Sequence, residues 1–157
     1  MVAKCFPSAD LPGYQIPFRC DRTCGSRDGG VAAYVPVGLN ATRVDLSGAL
    51  EAVCIQVQLG HRRVVDIVAV YRPPKYEMLD FIDKLENNLS KIQGSASCPI
   101  CIAGNFNAKQ SAWFAGQKTD AAARLSEGFA MANDLSQTVA LMALHMLWMV
   151  TLLLNLT

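Results

Sequence analysis

The sequence predicts an α/β fold, and three observations carry that expectation. An apolar run from Val64 to Tyr71 reads as a strand. Met78, Ile82, Leu85, Leu89 and Ile92, with Phe81 beside them, repeat at three and four residues and give the single apolar stripe of a helix. A second apolar run, Pro99 to Ala103, leads into Gly104-Asn105-Phe106-Asn107-Ala108. Strand, crossover helix and strand make a parallel pair, and α/β proteins bind ligands where such strand tips lie side by side. Here the tips carry a phenol, Tyr71, and two carboxamides, Asn105 and Asn107. The implied site is polar and short of negative charge.

The remaining elements follow in chain order. Residues 1–17 are rich in Pro and Gly and show no period, so they read as irregular chain. Phe18 to Arg22 reads as a short strand. Asp28-Gly29-Gly30 supplies the positive-φ positions of a tight turn, and Val31 to Val35 is a strand that Pro36 ends. Gly38 to Ser47 is polar and loop-like, with Ala41 to Val44 able to pair at a sheet edge. From Leu50 the period becomes two, with Val53, Ile55 and Val57 on one face and Ala52, Cys54 and Gln56 on the other. The returning strand Val64–Tyr71 is apolar on both faces, which suits the middle of a covered sheet. Asp66 interrupts it, and Arg62 or Arg63 near the turn is its expected partner. Pro73-Pro74 stops that strand and sets up the helix, expected from about Lys75 to Ile92. Thr119 or Asp120 caps a second helix from Ala121 to about Ala132, and Leu135 to Val139 suits another short strand.

Composition narrows the class. The chain has 157 residues, enough for one domain with a sizeable core or for part of a larger one. Lysine plus arginine number 14 against 13 aspartate plus glutamate, so a strongly basic nucleic-acid surface is not its main feature. The six cysteines follow an N-terminus without the long apolar run of a signal peptide, so free thiols and an intracellular compartment are expected. Cys98-Pro99-Ile100-Cys101 has metal-ligand spacing that Cys20 and Cys24 could complete, but ordinary core thiols explain it as well. Asn40-Ala41-Thr42, Asn88-Leu89-Ser90 and Asn155-Leu156-Thr157 match a glycosylation pattern that means little without a secretion signal. No formal charge occurs from Leu135 to Thr157, and the apolar run Val139 to Leu154 is shorter than the roughly 20 residues of a membrane span. For residues 140–157 three readings stay open: a buried helix, a weak span in membrane contact, and a non-native tail.

Five pieces now stand in one order: Gly29-Gly30-Val31-Ala32-Ala33-Tyr34-Val35, Leu50-Glu51-Ala52-Val53, Val70-Tyr71-Arg72-Pro73-Pro74, Gly104-Asn105-Phe106-Asn107-Ala108 with Trp113, and Thr119-Asp120 with Asn133-Asp134-Leu135. Together they resemble the endonuclease/exonuclease/phosphatase family, most closely the apurinic-type endonuclease domain of non-LTR retrotransposons that precedes a reverse transcriptase. The likeness covers residues 11–139. It implies part of a DNase I-like four-layer α/β sandwich, two sheets packed face to face with helices outside. It also implies DNA as partner, a nuclear location, and phosphodiester hydrolysis with Mg²⁺ or Mn²⁺. By this resemblance Tyr71 matches the tyrosine that touches the scissile phosphate and Asn107 the asparagine that holds phosphate or attacking water. Asn105 stands where the family has aspartate. Glu51 lies in a strand-start motif of retrotransposon copies and is not the family's metal-binding glutamate.

The resemblance also exposes departures. The family's opening segments, with an asparagine and the metal-binding glutamate, belong well before Leu11, and its closing Asp-His pair belongs after Val139. His145 sits in no such motif. A carboxylate at position 105 could take a proton from water beside a metal, and an amide cannot. No bound metal and no dedicated protein partner are therefore expected. The reading is a degenerate, inactive endonuclease domain. The alternatives are a non-catalytic phosphate- or nucleic-acid-binding module, with Arg72, Lys109, Trp113 and Lys118 as its contacts, and an unrelated α/β protein with structural cysteines.

Overall fold

The structure, a computed structural model, describes residues 11–22, 30–48, 50–60, 63–95, 98–109, 118–137 and 148–151, and among them eight strands form two sheets beside two helices. β1 (Phe18–Asp21) and β2 (Gly30–Ala33) pair antiparallel as a two-stranded sheet. The expected turn between them lies outside the described residues, apart from Gly30. A Cβ at Gly30 would stand 2.4 Å from the Cys20 carbonyl oxygen, with φ at +141°, so only glycine fits there. β3 (Asn40–Val44) is the edge strand that the polar stretch allowed, antiparallel to β4 (Glu51–Gln58). β5 (Val64–Tyr71) returns antiparallel to β4. α1 (Met78–Ser95) then crosses over, and β6 (Ile100–Asn105) lies parallel to β5, as the strand–helix–strand pattern predicts. α2 (Ala121–Ala132) is followed by β7 (Ser136–Gln137) and β8 (Trp148–Thr151).

The larger sheet runs β3-β4-β5-β6-β8-β7. Its helix-covered face buries Cys54, Val68, Val70, Ile100 and Ile102 with Phe81, Leu85, Leu89 and Ile92 of α1 and Ala123 and Phe129 of α2. The opposite face buries Val53, Ile55 and Val57 beneath the two-stranded sheet, with Phe18, Cys20, Val31 and Ala33 half-buried against them. Each fully buried side chain of this size stabilises the fold by about 1.5–3 kcal/mol. The outcome is a mixed α/β arrangement of two sheets with helices outside, and it explains why β5 is apolar on both faces.

Several readings of the sequence are refined. Asp66 does not reach Arg63. It pairs in register with Gln56, is 1% exposed, and accepts hydrogen bonds from Gln56 Nε2 at 3.1 Å and Cys98 Sγ at 2.8 Å. Arg62 lies outside the described residues. A buried carboxylate is costly unless its oxygens are satisfied, and these two donors satisfy them. The four-sulfur site is not assembled from Cys20 and Cys98, because Cys20 belongs to the two-stranded sheet and packs on the face opposite the helices, while Cys98 meets Asp66, whose side chain lies on the helix side with Val68. Cys24 lies outside the described residues. Asn88 is buried, its amide donating to Ser47 and Lys84 carbonyls, so it is no acceptor for a glycan in the folded chain. Of residues 140–157, Trp148–Thr151 are strand rather than helix, paired between β6 and β7. Among the described residues no helix is long and apolar enough to cross a membrane.

The buried thiols yield a prediction. Burial, with Asp66 adding to it, pushes Cys54 up to about 12 and Cys98 up to about 11, from an ordinary 9.0. Both should resist a thiol reagent at pH 8 until the chain is denatured, since the thiolate is the reactive form. A raised folded value means the native state holds protons that the unfolded state has released. Stability should therefore be unaffected by these groups below pH 9 and fall between pH 9 and about 12. Urea melts across that range check it, and Cys54→Ala should flatten the slope.

Candidate functional site

The site forms where β5 and β6 end together. Tyr71 and Asn105 are partners in the parallel ladder, so their side chains leave the same face of the sheet. The Arg72 amide extends the ladder by one bond to the Asn105 carbonyl, at 2.9 Å. Beyond Asn105 burial alternates: Phe106 and Ala108 point into the core, leaving Asn107 half-buried and Lys109 exposed. Phe106 meets Phe81 of α1 edge-on, with centroids 5.3 Å apart. The polar tip is thereby fastened to the helix that carried the chain across.

Arg72 has a different task from the phosphate grip expected of it. It is 5% exposed, and its guanidinium donates to the carbonyls of Phe106 at 2.6 Å, Asn107 at 2.8 Å and Tyr76. Burial lowers its pKa, against the opposing influence of Asp120, Glu77 and Tyr71. The planar fork of donors ties the start of one loop to the start of the next. Asn107 completes the tie by donating its Nδ2 to the Arg72 carbonyl. Its own N–H donates to Asn105 Oδ1 at 2.7 Å, and its φ is +49°, a left-handed conformation that asparagine tolerates.

Asp120 is the predicted helix cap. Its Oδ1 accepts from Ala123 N at 2.8 Å, while Oδ2 accepts from Lys109 N at 3.2 Å and its own N–H donates to the Lys109 carbonyl. These two hydrogen bonds lay Asp120 beside Lys109. Lys118 is exposed. Trp113 lies outside the described residues.

On the Tyr71 side the structure adds what the sequence did not suggest. Arg22 forms a two-point ion pair with Glu51, 2.6 and 2.8 Å, and its guanidinium carbon stands 5.4 Å from the centre of the Tyr71 ring. These three residues border a cavity of about 360 Å³ whose apolar walls include Leu50, Pro73 and Phe81. Glu51 faces Tyr71 in the β4–β5 ladder, but Arg22, just past the end of β1, is 29 residues away in sequence, and no local pattern signals it. Neither Asn105 nor Asn107 lines this cavity. The Asn107 amide turns back onto Arg72, donating to its carbonyl.

The donor set does not fit the divalent ion that the resemblance implies. A hard cation wants several oxygen ligands with carboxylates among them. Both Asp120 oxygens hold backbone N–H groups, both Glu51 oxygens hold Arg22, and Asn105 Oδ1 holds the Asn107 N–H. A cation would have to compete with those donors for each of these oxygens. Among the described residues no three His, Cys, Asp or Glu side chains gather as a metal site.

No family model and no curated protein matches the sequence. Solved structures do match. The endonuclease domain of TRAS1, a telomere-specific non-LTR retrotransposon, aligns at a TM-score of 0.61 and 15% identity, covering 82% of this chain and 56% of that one. The human Nocturnin catalytic domain with bound sulfate anion aligns at 0.55 and 14%, covering 90% of this chain and 61% of that one. The chain thus spans under two thirds of the length of either. At such identities the likeness is one of fold alone.

Proposed function

We propose that this chain is a retrotransposon-type endonuclease domain that has lost metal-dependent phosphodiester hydrolysis. Residues 11–139 are then the shared part of a four-layer sandwich. Tyr71, Asn105 and Asn107 are what remains of its catalytic rim, and DNA in the nucleus is its ancestral target. The observation that carries the reading is the state of Asn105. At the place of a family carboxylate stands a neutral amide whose oxygen already accepts the Asn107 N–H. It cannot take a proton from water, and it brings no negative charge to a cation shell.

The test is nicking of supercoiled plasmid and abasic-site duplex with Mg²⁺ or Mn²⁺, against an EDTA control. The wild type should not nick, and neither should Asn105→Asp. In that variant one carboxylate oxygen still accepts from Asn107 N, leaving a single monodentate ligand and a weakly held ion. Metal-dependent nicking by the wild type that disappears in Asn107→Ala overturns the reading.

A further inference from the structure

We infer that the outer face of the two-stranded sheet is a self-association surface, on which a second copy of this chain docks about a twofold axis. The inference is independent of the rim and of what became of its chemistry.

Alternation along β1 and β2 defines the face. Phe18, Cys20, Val31 and Ala33 turn inward against the large sheet, and buried Val35 follows them. Ala32 and Tyr34, which fall between, therefore point away from it. The segment before β1 joins the same layer. Tyr14 bridges Pro36, Gln15 N donates to the Val35 carbonyl at 2.8 Å, and Val37 N donates to the Gly13 carbonyl at 2.8 Å. The Tyr14 and Tyr34 rings meet edge-on, with centroids 6.3 Å apart. Leu11, Tyr14, Ile16 and Val37 are 43%, 46%, 82% and 69% exposed, and Pro36 is exposed beside them. Among the described residues no helix covers this side, since α1 and α2 both pack on the other face of the large sheet.

Charge and area choose the occupant. Alternation places Arg19 and Asp21 on this face, and they pair with each other at 2.8 Å. Arg43 reaches the edge of β1 and donates to the Arg19 carbonyl at 3.0 Å. Surfaces for anionic lipid or nucleic acid gather several cations, and this face does not. An apolar, nearly neutral face can meet its own image without opposing like charges, which a twofold contact requires. The exposed apolar side chains offer on the order of 500 Å² per copy, so two faces in contact bury about 1,000 Å², the lower end of a specific interface. Docking also costs little order. The two backbone bonds, the ring contact and the Gln15 amide, which donates to the Leu39 carbonyl at 2.6 Å, already hold the patch in place.

The test is sedimentation of the full chain in reducing buffer from about 1 to 200 μM, with a dimer expected at a Kd on the order of 10 μM. Ile16→Asp puts a charge into the apolar contact and should weaken the dimer about tenfold or more. Val37→Asp should do likewise, and it decides the matter if Ile16→Asp fails to fold by circular dichroism. Met131→Asp changes a side chain that is 81% exposed on α2 and should leave the dimer intact, which separates this face from general stickiness. High salt should not weaken an apolar contact. A chain that stays monomeric throughout, association that survives both face variants, or equal loss in Met131→Asp overturns the inference. Flotation with phosphatidylserine vesicles is the second arm. Vesicle binding by a monomeric chain, lost in Ile16→Asp, would assign the face to lipid and overturn it as well.

Discussion

Arg72→Leu is expected to destabilise the chain by about 3 kcal/mol, because leucine keeps the apolar bulk and removes every donor. Three carbonyls, those of Tyr76, Phe106 and Asn107, then lose their partner together. A buried acceptor left without a donor costs about 1–3 kcal/mol, and water reaching part of the loop keeps the total near the middle of the possible sum. Domains of this kind are stable by about 5–15 kcal/mol, so the loss is a large share. Arg72→Lys should recover less than half, since a single ammonium cannot span carbonyls from two loops as the fork does. Urea melts of the three proteins make the comparison. A loss under about 1 kcal/mol for Arg72→Leu would mean that the carbonyls are hydrated and that the guanidinium does not hold the rim.

Gly104→Ala should cost at least as much, on the order of 3 kcal/mol, for a steric reason. A Cβ there would stand 1.8 Å from the Val70 carbonyl oxygen, 2.7 Å from its carbon and 2.9 Å from Val70 Cγ2, at a φ of +157°. The obstacle is backbone of the neighbouring parallel strand, in the ladder pair Val70–Gly104 immediately before Tyr71–Asn105. Nothing flexible can move aside, so β5 and β6 must part at the rim itself. Gly128 gives the control. It lies inside α2 with open space where a Cβ would go, and alanine is the better helix former, so Gly128→Ala should stabilise by about 0.5–1 kcal/mol. Thermal melts of the two variants should move in opposite directions. Equal shifts would show that the β5–β6 approach is looser than the structure has it.

The elements whose partners are near in sequence were legible. Alternation along β4 and β5 named the residues of each face. The three-and-four stripe named the buried side of α1, and Asp120 announced the start of α2. These are properties of one strand or one helix at a time, and periodicity records them directly. The edge strand β3 was half-legible, because a polar stretch can pair or stay a loop, and the choice belongs to its neighbour. The uncharged stretch that contains β8 had no period at all, so its composition could not say that Trp148–Thr151 would enter a sheet between β6 and β7.

By itself, then, the sequence determined a parallel strand–helix–strand unit, a sheet covered on both faces, and a rim of one phenol and two amides. Hydrophobic period and strand-ending prolines are local physics, and they survive whatever the rest of the chain does. Tertiary structure alone decided which polar groups meet. It gave Asp66 to Gln56 and Cys98 instead of a turn arginine, withdrew Arg72 from the surface to three carbonyls, and set the Arg22–Glu51 pair against Tyr71. It also turned the Asn105 oxygen onto the Asn107 N–H. A polar side chain takes the partner that removes its desolvation cost, and that partner is fixed by strand register and loop approach across long separations in sequence.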